Sequence, residues 1–164
     1  MRLGIFSDVH ANLEALQAVL KALRAEGVNH FICCGDVVGY GPDPNACVQV
    51  LRELRCPTVA GNHEYGLLGK TPLDHFNRTA RDAVLWTRAQ LRTDERIFLD
   101  ELPLSDNLEP LLVVHAAPSN PTAWGYIFTV SEAEEEMREF SSAICVIGHT
   151  HYPFVVEKPP QQSG

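Results

Sequence analysis

Basic side chains are scarce: 13 Lys and Arg stand against 21 Asp and Glu, a formal net charge of −8. That excess of acid excludes a non-specific nucleic-acid or anionic-membrane surface, so no stable nucleic-acid partner and no membrane are expected. A phosphate substrate stays open, because bound divalent cations would reverse the field locally. Nothing approaches the ~18 apolar residues of a membrane span, and the opening segment up to His10 has one basic residue and an apolar run too short for a signal peptide. No CxxC pair is present, and the five cysteines are odd in number, with Cys33, Cys34 and Cys145 inside apolar runs. A disulfide framework is therefore not expected, and a reducing compartment fits, with cytoplasm the default. Aromatics are few, 8% beside 45% hydrophobic and 21% charged residues, and 164 residues make one domain, since domains run to ~100–200 residues. Residues 1–158 read as that domain and 159–164 as a tail.

Apolar periodicity then lays out an α/β chain. Arg2–Ser7 reads as a strand ending at Asp8, and Leu13, Leu16, Leu20 and Leu23 mark one face of a helix capped by Asn12 and stopped by Gly27. Phe31–Cys34 is a second strand, and Pro44 opens a helix carrying Val48, Leu51 and Leu54. Thr58–Ala60 is a third strand ending at Asn62 and His63. A helix is expected from about Asp74 to Leu91, and a shorter one capped by Thr93. Leu111–Val114 forms the fourth strand, Ser131 caps an acidic helix with a solvated face, Ala143–Ile147 is the fifth strand, and Phe154–Glu157 a candidate sixth. Such alternation favours parallel strands with helical crossovers.

The apolar strands share one feature: each ends in a metal-binding side chain. These are Asp8 with His10, Asp36, Asn62 with His63, His115, and His149 with His151. In an open α/β sheet such strand ends converge on one rim. The i, i+2 pairs Asp8/His10 and His149/His151 would each grip one ion if strand geometry persisted through them. The oxygen donors Asp8, Asp36 and Asn62 together with the imidazoles His10, His115, His149 and His151 suit Mn, Fe, Co, Ni or Zn better than Ca or Mg. They are more than a single tetrahedral ion requires. Two ions sharing a carboxylate would use them all, and an ion pair ~3.5–4 Å apart can clamp a phosphoryl displacement and acidify a bridging water. Phosphoester hydrolysis is the chemistry implied.

The ordered blocks Asp8-Val9-His10, Gly35-Asp36, Gly61-Asn62-His63-Glu64, His115 and Gly148-His149-Thr150-His151 resemble the calcineurin-like metallophosphoesterases, whose series is DxH, GD, GNH with Asp or Glu, a lone His, and GHxH. The stretch from Gly35 to Pro42 looks like that of the small bacterial and archaeal phosphodiesterases. The resemblance implies a sandwich of two mixed β-sheets flanked by helices. It implies two divalent transition-metal ions, one held by Asp8, His10, Asp36 and His151, the other by Asp36, Asn62, His115 and His149, with Asp36 bridging. It also implies a phosphodiesterase acting on a small-molecule or nucleotide phosphoester, with His63 facing the phosphate as acid to the leaving group. The superfamily also includes a retromer subunit, so the other implied class is a degenerate scaffold that recruits protein partners. Two departures stand out. No acidic residue follows Asp36 within the next few positions, and the chain stops soon after His151, where relatives continue through strands that complete the second sheet. A shortened C-terminal part would leave an exposed edge, with lower stability or self-association as the consequence.

Outside these blocks, His30 and His75 read as surface or packing residues, and Cys33 and Cys34 as core. Glu64, or another carboxylate, would keep His63 charged near neutral pH. Specificity would reside in Gly39–Asp43, Tyr65–Leu73 and Ala116–Phe128, where Tyr40, Trp124 and Tyr126 either stack on a base or aryl group or pack on one another as a lid.

Overall fold

The computed structural model describes residues 2–158; the expected tail at 159–164 lies outside the described residues. Strand β1 (Leu3–Phe6), helix α1 (Leu13–Ala25) and strand β2 (His30–Cys33) form the opening unit, and β1 pairs with β2 in parallel from Leu3↔His30 to Phe6↔Cys33. Asn12 caps α1 by accepting the Ala15 N–H at 3.0 Å, and Leu16 and Leu20 turn inward. Helix α2 (Pro44–Leu54) has proline at its first turn and buries Cys47, Val48 and Leu51. Helices α3 (Asn62–Leu68), α4 (Arg78–Gln90) and α5 (Thr93–Asp100) follow. Strands β3 (Ser105–Leu108) and β4 (Leu111–Val114) then form an antiparallel hairpin, and after helix α6 (Val130–Glu136) strand β5 (Ile144–Val146) joins β4 in parallel.

Alternation along β2 builds two layers of core. Phe31 and Cys33 face a helical layer with Leu16, Leu20, Val48, Leu51, Leu67, Val84 and Leu99. Ile32 and Cys34 face the other way, against Val59 and Val113, with Leu3, Leu111 and Val146 packed alongside. Successive strand residues point to opposite faces, so one short strand joins helices on one side to the second sheet on the other. The α/β sandwich with two small sheets and flanking helices is thus present. All five cysteines are free, and burial pushes the Cys34 thiol up to about 12. No helix among the described residues is long and apolar enough to cross a membrane.

Several local expectations are corrected. The segment after Cys56 keeps a single parallel bridge, Cys33↔Thr58, in place of a strand. The chain then turns at Gly61 into α3, a helix the apolar pattern did not mark, because its first turn is filled by the polar Asn62, His63 and Glu64. Helix α4 starts at Arg78, not near Asp74, since the Asn77 side chain caps the Ala80 N–H at 2.9 Å. Arg92, not Thr93, precedes α5, and its guanidinium grips Glu95 at 2.7 and 3.2 Å. The cap of α6 is Thr129, not Ser131: its hydroxyl accepts the Glu132 N–H at 3.2 Å while Glu132 accepts the Thr129 N–H at 2.9 Å, a reciprocal box. Strand β3, Ser-Asp-Asn-Leu, is too polar to read as a strand, but it pairs along β4 with alternate residues partly covered. Phe154–Glu157 forms no strand.

Leu51 is 1% exposed in the helical core and Ile97 is 52% exposed. Leu51→Ala should therefore lower unfolding free energy by about 2–5 kcal/mol, and Ile97→Ala by no more than about 0.5 kcal/mol. Denaturant midpoints measure both, and equal losses would contradict this placement of the core.

Candidate metal centre

The strand ends deliver their polar residues to one place, although not by the expected route. Strand geometry stops at Phe6, so Asp8 and His10 are not alternate residues of a strand. Instead Asp8, His10, Asp36, His149 and His151 all have left-handed backbone, with φ between 48° and 67°. That conformation costs non-glycine residues of order 1–3 kcal/mol each and persists only when the surroundings over-determine it. Here the backbone does so. Asp8 N–H donates to Gly35 O at 3.0 Å, His10 N–H to Asp36 O at 2.9 Å and Ala11 N–H to Val37 O at 2.8 Å, while Gly148 N–H donates to His115 O at 3.0 Å.

Motif glycines admit the carboxylates. A Cβ at Gly61 would lie 2.1 Å from Asp36 Oδ1, and one at Gly148 2.0 Å from Ser7 Oγ and 2.6 Å from Asp8 Oδ2. Such separations are far below van der Waals contact, so any side chain there would displace the aspartate. Asp8 in turn accepts the His149 N–H at 3.1–3.2 Å.

Backbone carbonyls orient the imidazoles. His10 Nδ1 lies 3.1 Å from Val38 O and His115 Nδ1 2.7 Å from Cys34 O, which leaves each Nε2 for the centre. His149 Nε2 is 2.9 Å from Trp124 O, leaving Nδ1. Fixing one ring nitrogen on a carbonyl in this way sets the tautomer and aims the other. His10 Nε2 then lies 3.0 Å from His151 Nε2, and His151 Nε2 lies 3.2 Å from Asp8 Oδ1. Asp36 Oδ2 is 3.3 Å from His115 Nε2 and 3.8 Å from His10 Nε2, and Asn62 Oδ1 is 3.2 Å from His115 Nε2. Donor atoms fall into overlapping groups within 4.8 Å: Asp8, His10 and His151; Asp36, His115 and His149; and His10, Asp36 and His63. Imidazole nitrogens aimed at one another across carboxylate oxygens need a cation or shared protons between them. Mixed nitrogen and oxygen donors without a thiolate fit a divalent transition metal.

Burial alone would raise the Asp36 carboxyl, but the adjacent His115 outweighs it and holds the group well below the usual carboxylate range. For His115, burial is likewise outweighed by Asp36, which lifts the imidazole to about 9. His63 behaves differently. Burial holds it down at about 4 against the pull of Asp36, and Glu64 does not hold it charged. The Glu64 carboxylate is fully buried and points away into the backbone, accepting N–H groups from Gly61 at 2.8 Å, Asp36 at 3.0 Å and Val38 at 3.1 Å. Burial and then Asp36 raise its pKa to about 7. Glu64 is thus a strut tying two site loops together, a role visible beforehand only as the last letter of its motif.

Asn62 and His63 both stand in the first turn of α3, with Asn62 Oδ1 toward His115 Nε2 and the His63 ring toward Tyr40 and Phe76. The His63 N–H donates to Asp36 Oδ1 at 2.9 Å, so this carboxylate meets a helix N-terminus. Its ring lies against Tyr40, His10 and Phe76, and a Cβ at Gly39 would reach within 2.0 Å of its Nδ1. These side chains open onto a cavity of about 630 Å³, whose lining includes His75, which no motif had marked.

A profile of the calcineurin-like phosphoesterase superfamily domain matches residues 1–161. An uncharacterised protein of Methanocaldococcus jannaschii is 42% identical over 157 residues, covering 93% of this chain and 63% of that protein. The crystal structure of a metallophosphoesterase from Sphaerobacter thermophilus is 42% identical at a TM-score of 0.79, covering 92% of this chain and 61% of that one. A hypothetical protein of Pyrococcus horikoshii shares the fold, at a TM-score of 0.78 and 19% identity, over 92% of this chain and 70% of its own. The chain thus spans about three fifths of the length of the first two.

Glu64→Ala would strand three buried N–H groups. Since each unsatisfied donor costs about 1–3 kcal/mol, the metal-free variant should lose at least about 3 kcal/mol of unfolding free energy and bind metal more weakly. A wild-type denaturation midpoint for this variant would show that those donors have other partners.

Proposed function

The chain belongs to the calcineurin-like phosphoesterase superfamily, and from that premise we propose that it is a two-metal phosphohydrolase, in all a phosphodiesterase of small-molecule or nucleotide substrates. The observation that carries this reading is the position of Asp36. One carboxylate oxygen lies 3.3 Å from His115 and 3.8 Å from His10, between the two donor groups. In this proposal Asp8, His10, Asp36 and His151 hold one ion, and Asp36, Asn62, His115 and His149 the other. When bound, the metals, of the Mn, Fe, Co, Ni or Zn type, neutralise phosphoryl charge and lower the pKa of water.

The protein's own groups supply orientation and proton handling. Backbone carbonyls of Val38, Cys34 and Trp124 keep the imidazoles aimed. His63 Nδ1 is buried beside Gly39 without a hydrogen-bond partner among the described residues, so Nε2 is the atom that His63 offers to the cavity. An anionic phosphate beside it raises its pKa, and the charged imidazole then gives its Nε2 proton to the departing oxygen. An alkoxide is a poor leaving group, and that proton is the one it lacks.

Chelation by EDTA should abolish hydrolysis, and Mn²⁺ should restore it. Asp36→Asn should reduce metal content at both sites; full occupancy by metal analysis would overturn the bridging role. His63→Gln should retain both metals and lose ~10²–10⁴ in turnover, with the smaller loss on aryl esters, whose leaving groups hardly need a proton. Equal losses on aryl and alkyl esters would leave His63 a positioning role only.

A further inference from the structure

The cavity above the centre is notable for its charge. Among the described residues, no Lys or Arg lines it, and residues 159–164 contain neither. Its polar lining beyond the imidazoles and Asp36 is neutral, with Thr71, Asn77, Thr122 and Thr150. Arginines instead gather elsewhere: Arg52, Arg55 and Arg92 line a separate surface groove between α2 and α5. A substrate phosphate outside the metal centre would therefore meet no cation in this cavity, on a protein whose net charge is already −8. Recognition of a polyphosphate chain ordinarily relies on such cations, through Arg or Lys clamps.

Aromatic rings take their place. Tyr40, 45% exposed, stands over His10 and His63 with ring centroids 4.8 Å away in each case. Across the centre, Tyr126 stacks on His149 at 4.0 Å and 20°, and Phe128 continues the stack at 5.3 Å and 8°. Trp124 is anchored beside them, its carbonyl oxygen on His149 Nε2 and its ring edge-on to Tyr65. The Ala117 N–H to Gly125 O bond at 3.2 Å closes the base of this loop. Among the described residues no ring contact joins Tyr40 to Trp124 or Tyr126. The cavity between the two walls has the size of an ordinary small-molecule site, about 300–1,000 Å³.

We propose that this cavity selects a phosphodiester with a single phosphate and a planar organic group, of which a nucleoside is the natural form, held between Tyr40 and the Trp124–Tyr126 wall, and that it disfavours nucleoside polyphosphates. The proposal rests on the phosphohydrolase reading for the position of the scissile phosphate. A monoanionic diester needs no charge compensation beyond the centre, and its base gains stacking contact that is tolerant of base identity.

The test compares Mn²⁺-reconstituted protein on the p-nitrophenyl ester of a nucleoside 5′-monophosphate, on methyl p-nitrophenyl phosphate, and on ATP. The two diesters share a leaving group, so their ratio isolates the organic arm. The nucleoside ester should exceed the methyl ester in kcat/KM by about 5- to 150-fold, the range for one stacked base, with ATP the poorest. Tyr40→Ala and Tyr126→Ala should bring that ratio toward one through KM, while Tyr40→Phe keeps it; metal content is measured for each variant. Equal use of the two diesters, or ATP turned over as well as the nucleoside ester, overturns the proposal. If the metal-loaded protein hydrolyses no ester, the phosphohydrolase reading fails, and calorimetric titration of the metal-free protein decides the cavity's preference. Tighter binding of a nucleoside monophosphate than of its triphosphate then supports the selection, and the reverse order removes it.

Discussion

A carboxylate that is only 2% exposed, Asp36, constrains nearly everything around it. A charge removed from water is tolerated only if its oxygens are matched by donors and opposite charge. One oxygen accepts the His63 N–H at the start of α3, and the other faces His115 and His10. Meeting those demands requires the Gly35-Asp36 loop, the Gly61 turn and the end of β4 to converge within a few ångströms. Glu64 completes the convergence from below by taking the Gly61, Asp36 and Val38 N–H groups. Burial first, and then repulsion from the neighbouring Asp36, raises the pKa of Glu64. The arrangement favours a cation at the centre.

The same demand accounts for the backbone. Left-handed conformations at Asp8, His10, Asp36, His149 and His151 run against intrinsic preference, and they occur where local consistency is given up for a site. What holds Asp8, His10 and Asp36 is irregular hydrogen bonding between the loop after β1 and the loop after β2, which prolongs the parallel pairing beyond the strands themselves, while the His149 N–H is taken by the Asp8 carboxylate. The layered core beneath is conventional, with Phe31 and Cys33 toward helices and Ile32 and Cys34 toward the second sheet. Rigid packing at the strand ends is the platform that lets the loops bear this strain.

Function follows from how these layers divide the work. Carbonyls at Val38, Cys34 and Trp124 set the ring orientations, so the geometry of the candidate donor set is built mainly by main chain and tolerates little change in the loops. Side chains of the cavity wall come from different segments, around Tyr40, around Phe76 and from Trp124 to Tyr126. Those segments contribute no group to the donor set, which in the proposed reading separates the chemistry from the recognition of the substrate's organic portion.

Much of this was legible in the chain as written. Apolar runs that alternate with helical periodicity, each ending in Asp, Asn or His, implied strands delivering ligands to one rim, because a buried strand must be apolar and a sheet edge must hand its chain to a loop. The capping of α1 by Asn12, the proline start of α2 and the core placement of Cys33 and Cys34 were readable for the same local reasons. Polar elements were not. Helix α3 is held by a partner distant in sequence, the Asp36 carboxylate, and strand β3 by its hairpin ladder with β4, which the polar run Ser-Asp-Asn-Leu does not signal. The same holds for the site. The donor inventory was written in the sequence, since residue type alone limits which atoms can bind a metal. Only the tertiary structure decided that left-handed turns rather than strand alternation bring those donors together, that Glu64 braces the loops instead of charging His63, and that the cavity is walled by aromatics without cations. Each of those depends on where residues far apart along the chain meet in space, and local pattern carries no information about that.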